Sequence, residues 1–250
     1  MSDIINRWDK VELEDQLDLI LEKKWDVLII LDDCRYDMFK KVNTIKGSLK
    51  KVRSAGYNSC SFIQNVFEKH DFSDTVCVMG NPFISKYGHN FKHIRHSYLE
   101  DWIEDPGTVC PKMLSENLTR LQREYKGSKL IAWYMQPHQP FLVDCVPDVE
   151  RFLVGKTKNA YGKTVIEDNI FSAVQNGLVP KETFAKCFEM NLEYVLTYLE
   201  SDVLSDLDGK IIITSDHGEY LGENGLYGHP HAGFDNSEIL RSVPWFEVKL

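Results

Sequence analysis

The sequence predicts an α/β fold with a mostly parallel central sheet and helices on both faces, and three observations carry that expectation. Val27 to Leu31 is a run of five apolar residues that ends abruptly in acid, the pattern of a strand buried on both faces of a parallel sheet. Further strand-like runs alternate with amphipathic helical segments, as in a doubly wound fold. The third is TSDHGEYLGENGLYGHP, Thr214 to Pro230, which follows the apolar KIII and crowds histidines, carboxylates and glycines at the place where open parallel sheets collect ligands.

In chain order, VELEDQLDLILEKK sets Val11, Leu13, Leu17, Ile20 and Leu21 on one helical face, with lysines in the last turn where the helix dipole favours them. WDVLIILDDCRYD is the first strand, with acids at its carboxyl end. TVCVM (Thr75 to Met79) and KLIAWYM (Lys129 to Met135) are the next strands, and PKMLSENLTRLQREYKG between them is a helix with Pro at its start and Gly past its end. ETFAKCFEMNLEYVLTYLESD lines up Phe184, Phe188, Leu192, Val195 and Leu199 as a long helix feeding the strand Lys210 to Thr214, and VPWFEVKL is expected as a last, edge strand. Residues 1–250 read as one catalytic domain with an irregular insertion or lid at about 146–181. Its two GKT triplets lack the spacing and the preceding strand of a phosphate-binding P-loop.

The 250 residues are 43% hydrophobic and 27% charged, enough for a large core, and the formal net charge of -9 argues against a nucleic-acid-coating surface. No apolar run reaches the roughly 20 residues of a membrane span, and MSDIINRWDKVELEDQ lacks the order of a signal peptide. The six cysteines form no C-x-x-C pair and are expected to be reduced and mostly buried, which together with these absences suggests a cytoplasmic protein.

Asp32 and Asp216 each end a strand, where an isolated acid is ordinarily a turn or cap residue. His217 directly after Asp216 changes that, because Asp and His donors together suit zinc or manganese. Gly218, Gly222, Gly225 and Gly228 permit turns that bring His229 back toward the same pocket, while His229 and His231 could equally be a hydrated pair. His89, His93 and His96 have helix-like spacing but no accompanying motif, and are expected to form a solvated basic patch. Trp102, Trp133 and Trp245 lie in apolar patterns and read as core or interface aromatics.

ILDDCRYD and TSDHGEYLGENGLYGHP resemble the first and last metal motifs of the alkaline phosphatase superfamily, sulfatase-like branch. The second is particularly similar to the catalytic domain of lipid A phosphoethanolamine transferases, and the chain also resembles small uncharacterised sulfatase-like proteins. WYMQPHQPF and RSVPWFEV are similar to the intermediate and final segments, and GYNSCSFIQNVF falls where that superfamily places its nucleophile. The resemblance spans Val27 to Val248, leaving Val146 to Lys181 unmatched.

It implies an alkaline-phosphatase-like fold and a primary metal site of Asp32, Ser59, Asp216 and His217, with Ser59 as nucleophile; the neighbouring Cys60 and Ser61 remain alternatives. His138 and His229 match histidines that bind a second metal or the substrate phosphate and act in catalysis. Asp33 is either a second metal carboxylate or a cap. Arg35 is either a phosphate clamp or a partner of Asp37. Glu219, Glu223 and His231 stay open between loop solubility and catalysis.

The implied activity is metal-dependent hydrolysis of a small-molecule phosphomonoester or phosphodiester through a phosphoseryl intermediate. The alternatives are a phosphoryl or phosphoethanolamine-type transferase and, last, a non-catalytic metal- or phosphate-binding module. Sulfate hydrolysis is disfavoured, because Cys60-Ser61-Phe62-Ile63-Gln64 has neither the Pro nor the Arg of the formylglycine motif. Zinc or manganese is the expected ion, with magnesium or calcium as alternatives and a second ion at His138 and His229 left open. Oligomeric state is not encoded in any of these features.

Overall fold

The computed structural model describes residues 13–104, 107–142, 156–158, 164–166, 169–230 and 233–250. Its central sheet has seven strands: β1 (Val27–Asp32), β2 (Gly47–Arg53), β3 (Thr75–Met79), β4 (His93–Arg95), β5 (Lys129–Pro137), β6 (Ile211–Ser215) and β7 (Ser242–Val248). They lie in the order β2-β7-β6-β1-β5-β3-β4. The five strands from β6 to β4 are mutually parallel, and β7 runs antiparallel to both of its neighbours. Every residue of β1, β3 and β6 is buried, as expected for strands covered on both faces.

Helices cover the sheet on both sides: α1 (Gln16–Leu21), α2 (Tyr36–Val42), α3 (Ser59–Ile63) running into a π turn at Gln64–Glu68, α4 (Pro111–Glu124), α5 (Asn169–Gln175) and α6 (Lys181–Asp202). Consecutive residues of β5 make the two layers visible, since side chains alternate along a strand. Trp133 meets Phe62 of α3 edge-on at 5.4 Å, whereas the Tyr134 hydroxyl lies 2.7 Å from Ser115 on α4.

The terminal segment departs from expectation. β7 is not an edge strand but sits between β2 and β6, and the edge belongs to β2, whose GSLKKVR buries only Val52. Lysines on an exposed edge discourage further pairing. An interior strand containing Pro244 is tolerated because the β6 ladder pairs only Trp245 to Glu247, and the Pro244 carbonyl accepts from Thr214 Oγ1 at 2.6 Å.

Three other readings are corrected. The histidine segment does not continue as a helix: His93 starts the short strand β4 and stacks on Tyr125 at 5.1 Å, so the 89/93/96 spacing is not a helical face. The excursion is not irregular throughout, since Lys156–Lys158 pairs antiparallel with Thr164–Ile166 and α5 follows. There Ile170, Ala173 and Val174 join Phe184, Phe188 and Leu221 in a satellite apolar cluster beside the main core. Cys34, Cys60, Cys77 and Cys110 are free thiols, but Cys187 is disulfide-bonded, so the thiols are not all reduced.

α1 is latched onto the sheet by one amide. Gln16 is fully buried; its Nε2 donates to Thr214 Oγ1 at 2.7 Å and to the Ser215 carbonyl at 2.6 Å, and its Oε1 accepts from Ala55 N at 3.0 Å. Gln16→Ala should therefore strand buried partners on two segments and cost about 2 kcal/mol or more, read as a lower urea midpoint with an unchanged m-value.

Candidate metal centre

Two adjacent strands carry the acids. β1 and β6 are parallel and in register, Leu31 opposite Ser215, so Asp32 and Asp216 emerge side by side at the carboxyl edge of the sheet. Ser215 Oγ accepts from Cys34 N at 2.8 Å and lies 2.7 Å from the carbonyls of Leu31 and His217, joining the two strand ends. Asp33 follows in the left-handed region at φ 66°, a conformation that sits more often at functional turns than elsewhere. Its amide donates to Asp216 Oδ1 at 3.1 Å, and its side chain turns inward instead of capping the next helix.

α3 brings in the hydroxyl. Ser59 Oγ donates to Asp216 Oδ2 at 2.7 Å and lies 3.4 Å from His217 Nε2. Asn81, just past β3, donates from Nδ2 to Asp32 Oδ2 at 2.6 Å and to Ser59 Oγ at 3.0 Å, and Trp133 Nε1 donates to the same Asp32 oxygen at 2.9 Å. His217 Nδ1 donates to the Gly218 carbonyl at 2.9 Å, which turns Nε2 toward Asp216 Oδ2 at 3.1 Å and Ser59 as the ring atom a cation would take once its proton is lost.

Two histidines approach from the other side. His138 follows β5, and its Nδ1–H is held by the Gln139 carbonyl, so Nε2 faces Asp33 Oδ2 at 3.7 Å. His229 is returned by a hairpin pairing Tyr220–Leu221 with Tyr227–Gly228. Gly228 makes that return at φ 79°, where an L side chain would be strained. His229 Nδ1 lies 3.1 Å from Glu219 Oε2 and 3.5 Å from Asp33 Oδ1, and the rings of His229 and His217 are 4.5 Å apart.

Two groupings follow, each with ligand atoms within 4.8 Å of one another: Asp32, Asp33, Asp216 and His217, and Asp33, His217 and His229. Neither oxygen of the buried Asp33 carboxyl accepts a hydrogen bond, although His217 Nδ1 approaches Oδ1 to 3.1 Å. Carboxylate oxygens without hydrogen bonds in a pocket of aspartates and imidazole nitrogens fit a divalent cation, which would satisfy them directly.

The electrostatics agree. Burial, then Glu219, Asp32 and Asp216, push the Asp33 carboxyl well above the usual range, and burial together with Asp216 does the same to Asp32. Burial alone would lower the His217 imidazolium, but the Asp216 carboxylate outweighs it and raises the pKa to about 9. His138, half-buried and beside His229, is pushed down by desolvation and by the His229 ring to about 4 and is neutral near pH 7.

No protein-family model and no curated protein matches the chain. Solved structures do. Lipooligosaccharide phosphoethanolamine transferase A of Neisseria meningitidis, an integral membrane protein, superposes with a TM-score of 0.55 at 15% identity over 88% of this chain. The periplasmic domain of phosphoethanolamine transferase EptC from Campylobacter jejuni gives 0.55 at 14% identity, covering 88% of this chain and 77% of that one. The corresponding Escherichia coli domain, solved in complex with zinc, gives 0.53 at 11% identity, covering 89% and 71%.

The chain has an alkaline-phosphatase-like α/β fold, which it shares with these transferase domains. It spans 47% of the length of the Neisseria transferase, and no described helix is long and apolar enough to cross a membrane.

Within that alkaline-phosphatase-like frame, Asp32, Ser59, Asp216 and His217 converge, with His138 and His229 beside them. Ser61 is excluded as the hydroxyl of the cluster, since its Oγ is committed to the amides of Tyr57 and Asn58 and to the Asn58 carbonyl in a capping box. Arg35 is not presented as a clamp: its guanidinium binds Asp37 through two N–H groups, Glu223 Oε1 at 2.6 Å and the Glu219 carbonyl. Glu223 is thereby structural, Glu219 is buried against His229, and His231 lies outside the described residues.

Asn81 and the indole of Trp133 were not singled out by the sequence. An Asn before a Pro and a Trp in an apolar strand carry ordinary turn and core signals, and only the strand order sets them against Asp32. Because a cation must displace the His217 proton, apparent affinity for Zn²⁺ should rise about tenfold per pH unit and flatten above about 9. Calorimetric titration in buffers of different ionisation heat should record the released proton.

Proposed function

We propose that the chain is a metal-dependent phosphoric ester hydrolase of the alkaline phosphatase superfamily, using Ser59 as nucleophile on a phosphomonoester or phosphodiester. The observation that carries this reading is the 2.7 Å bond from Ser59 Oγ to Asp216 Oδ2 inside a cluster of buried carboxylates and imidazoles. Asp32, Asp216, His217 and Ser59 would hold the primary ion, with Asp33 completing the acidic wall. Zinc or manganese suits this mixed oxygen and nitrogen set. The ion would lower the pKa of the Ser59 hydroxyl and neutralise charge on the phosphoryl oxygens.

The remaining steps fall to the chain. Asp216 is the near acceptor for the Ser59 proton, and Asn81 Nδ2, 3.0 Å from Ser59 Oγ, aims the hydroxyl and presents an N–H to a phosphoryl oxygen beside it. Attack forms the Ser59–phosphorus bond and breaks the bond to the leaving oxygen, giving a phosphoseryl intermediate. His138, neutral with Nδ1–H fixed, offers Nε2 as base for the water that cleaves this intermediate. His229, aligned by Glu219, protonates or orients the leaving group.

Likeness of fold to phosphoethanolamine transferases supports a second reading, in which an alcohol replaces water as acceptor. The missing formylglycine motif speaks against a sulfatase, and convergence of all six side chains speaks against a non-catalytic binding module. The disulfide at Cys187 supports an oxidising compartment over the cytoplasmic one expected from the thiols.

Metal-loaded protein should cleave aryl phosphate mono- or diesters and not aryl sulfate. Ser59→Ala should lower kcat on the order of 10³-fold or more while leaving metal bound, and intact-mass analysis should find phosphate on Ser59 only in the parent protein. Unchanged turnover in Ser59→Ala would refute the assignment; faster turnover with added alcohols would select the transferase.

A further inference from the structure

Phe234 is 76% exposed, more than any other large apolar side chain among the described residues. It is nevertheless held. Its ring meets Tyr57 edge-on at 5.5 Å and 79°, and the Tyr57 hydroxyl donates to the Gly233 carbonyl at 2.6 Å. Asp235 and Asn236, which follow it, are fixed by Tyr220 and by Arg53 and Arg241 respectively. A side chain that is only solvent-facing padding needs no such fastening.

Its location gives the ring a use. Tyr57 and Asn58 directly precede Ser59, and Phe234 follows the His229 turn. Asn58 Nδ2 donates to the Pro230 carbonyl at 2.8 Å, so the nucleophile loop and the histidine loop are sewn together by Asn58 and Tyr57. The aromatic pair stands on that seam, and an edge-to-face pair leaves a π face of Phe234 open for offset stacking.

Resting on the phosphoester reading above, we propose that Tyr57 and Phe234 form a subsite for an aromatic group esterified to the phosphate that Ser59 attacks. The phosphate end is bound by the cluster, and the organic end stacks on Phe234, whose position Tyr57 fixes. The subsite therefore selects among esters by their organic part and leaves phosphoryl recognition untouched.

Non-reacting phosphonates test this by calorimetry on the metal-loaded protein. Phenylphosphonate should bind roughly tenfold more tightly than methylphosphonate. Phe234→Ala should erase that difference without moving the methylphosphonate Kd, and Phe234→Trp should keep it. Equal affinity for the two ligands in the parent protein, or equal weakening of both by Phe234→Ala, overturns the subsite alone. Hexylphosphonate binding as tightly as phenylphosphonate overturns its aromatic character. Failure of every phosphonate to bind takes down the phosphoester reading and the subsite with it.

Discussion

Burying Asp32, Asp33, Asp216 and Glu219 together sets like charges side by side where water screens them poorly, and the carboxyl end of the sheet is organised around that repulsion. Each acid meets it differently. Asp216 and Glu219 stay below the usual carboxylate range despite burial because His217 and His229 stand against them. Asp32 has the His217 charge and the donors of Asn81 and Trp133, which together lower its pKa less than burial and Asp216 raise it. Asp33 has His217, His229 and His138 nearby but accepts no hydrogen bond from any of them, which makes the arrangement incomplete as a purely protein structure.

Much of this was legible from local pattern. Fully buried strands advertise themselves as unbroken apolar runs, which is why β1, β3, β5 and β6 and the helix α6 were placed within a residue or two. β2 was silent because an edge strand with one buried residue, GSLKKVR, has no apolar run, and β7 was misplaced because strand order is a tertiary fact. In the site, the motif residues of both acid-tipped strands were readable as a resemblance. Asp33 was undecided because the choice between cap and inward ligand rests on a single backbone angle. Arg35 was undecided because an Arg two residues from an Asp serves either role equally well in one dimension.

The two histidine loops share a support away from the sheet. Phe184 of α6 lies within 6.0 Å of the rings of Phe141, Phe171 and Tyr227, one from the segment after His138, one from α5 and one from the hairpin before His229. Apolar packing thus ties the spacing of His138 and His229 to the same helix, while the acids take theirs from hydrogen-bonded strands. The site joins a rigid half to a half seated on side-chain contacts, and the second half borders the excursion that has no counterpart in the resemblance.

The register of β1 and β6 has a metric consequence. Adjacent strands of a sheet stand about 4.8 Å apart whatever their sequence, and Asp32 and Asp216 sit at the tips of two such neighbours, pinned by Ser215. The backbone acts as a caliper. The gap between the facing carboxylates is set by the ladder and not by rotamer choice alone, so changes in the surrounding loops can reshape the mouth of the pocket while the two acids keep their separation.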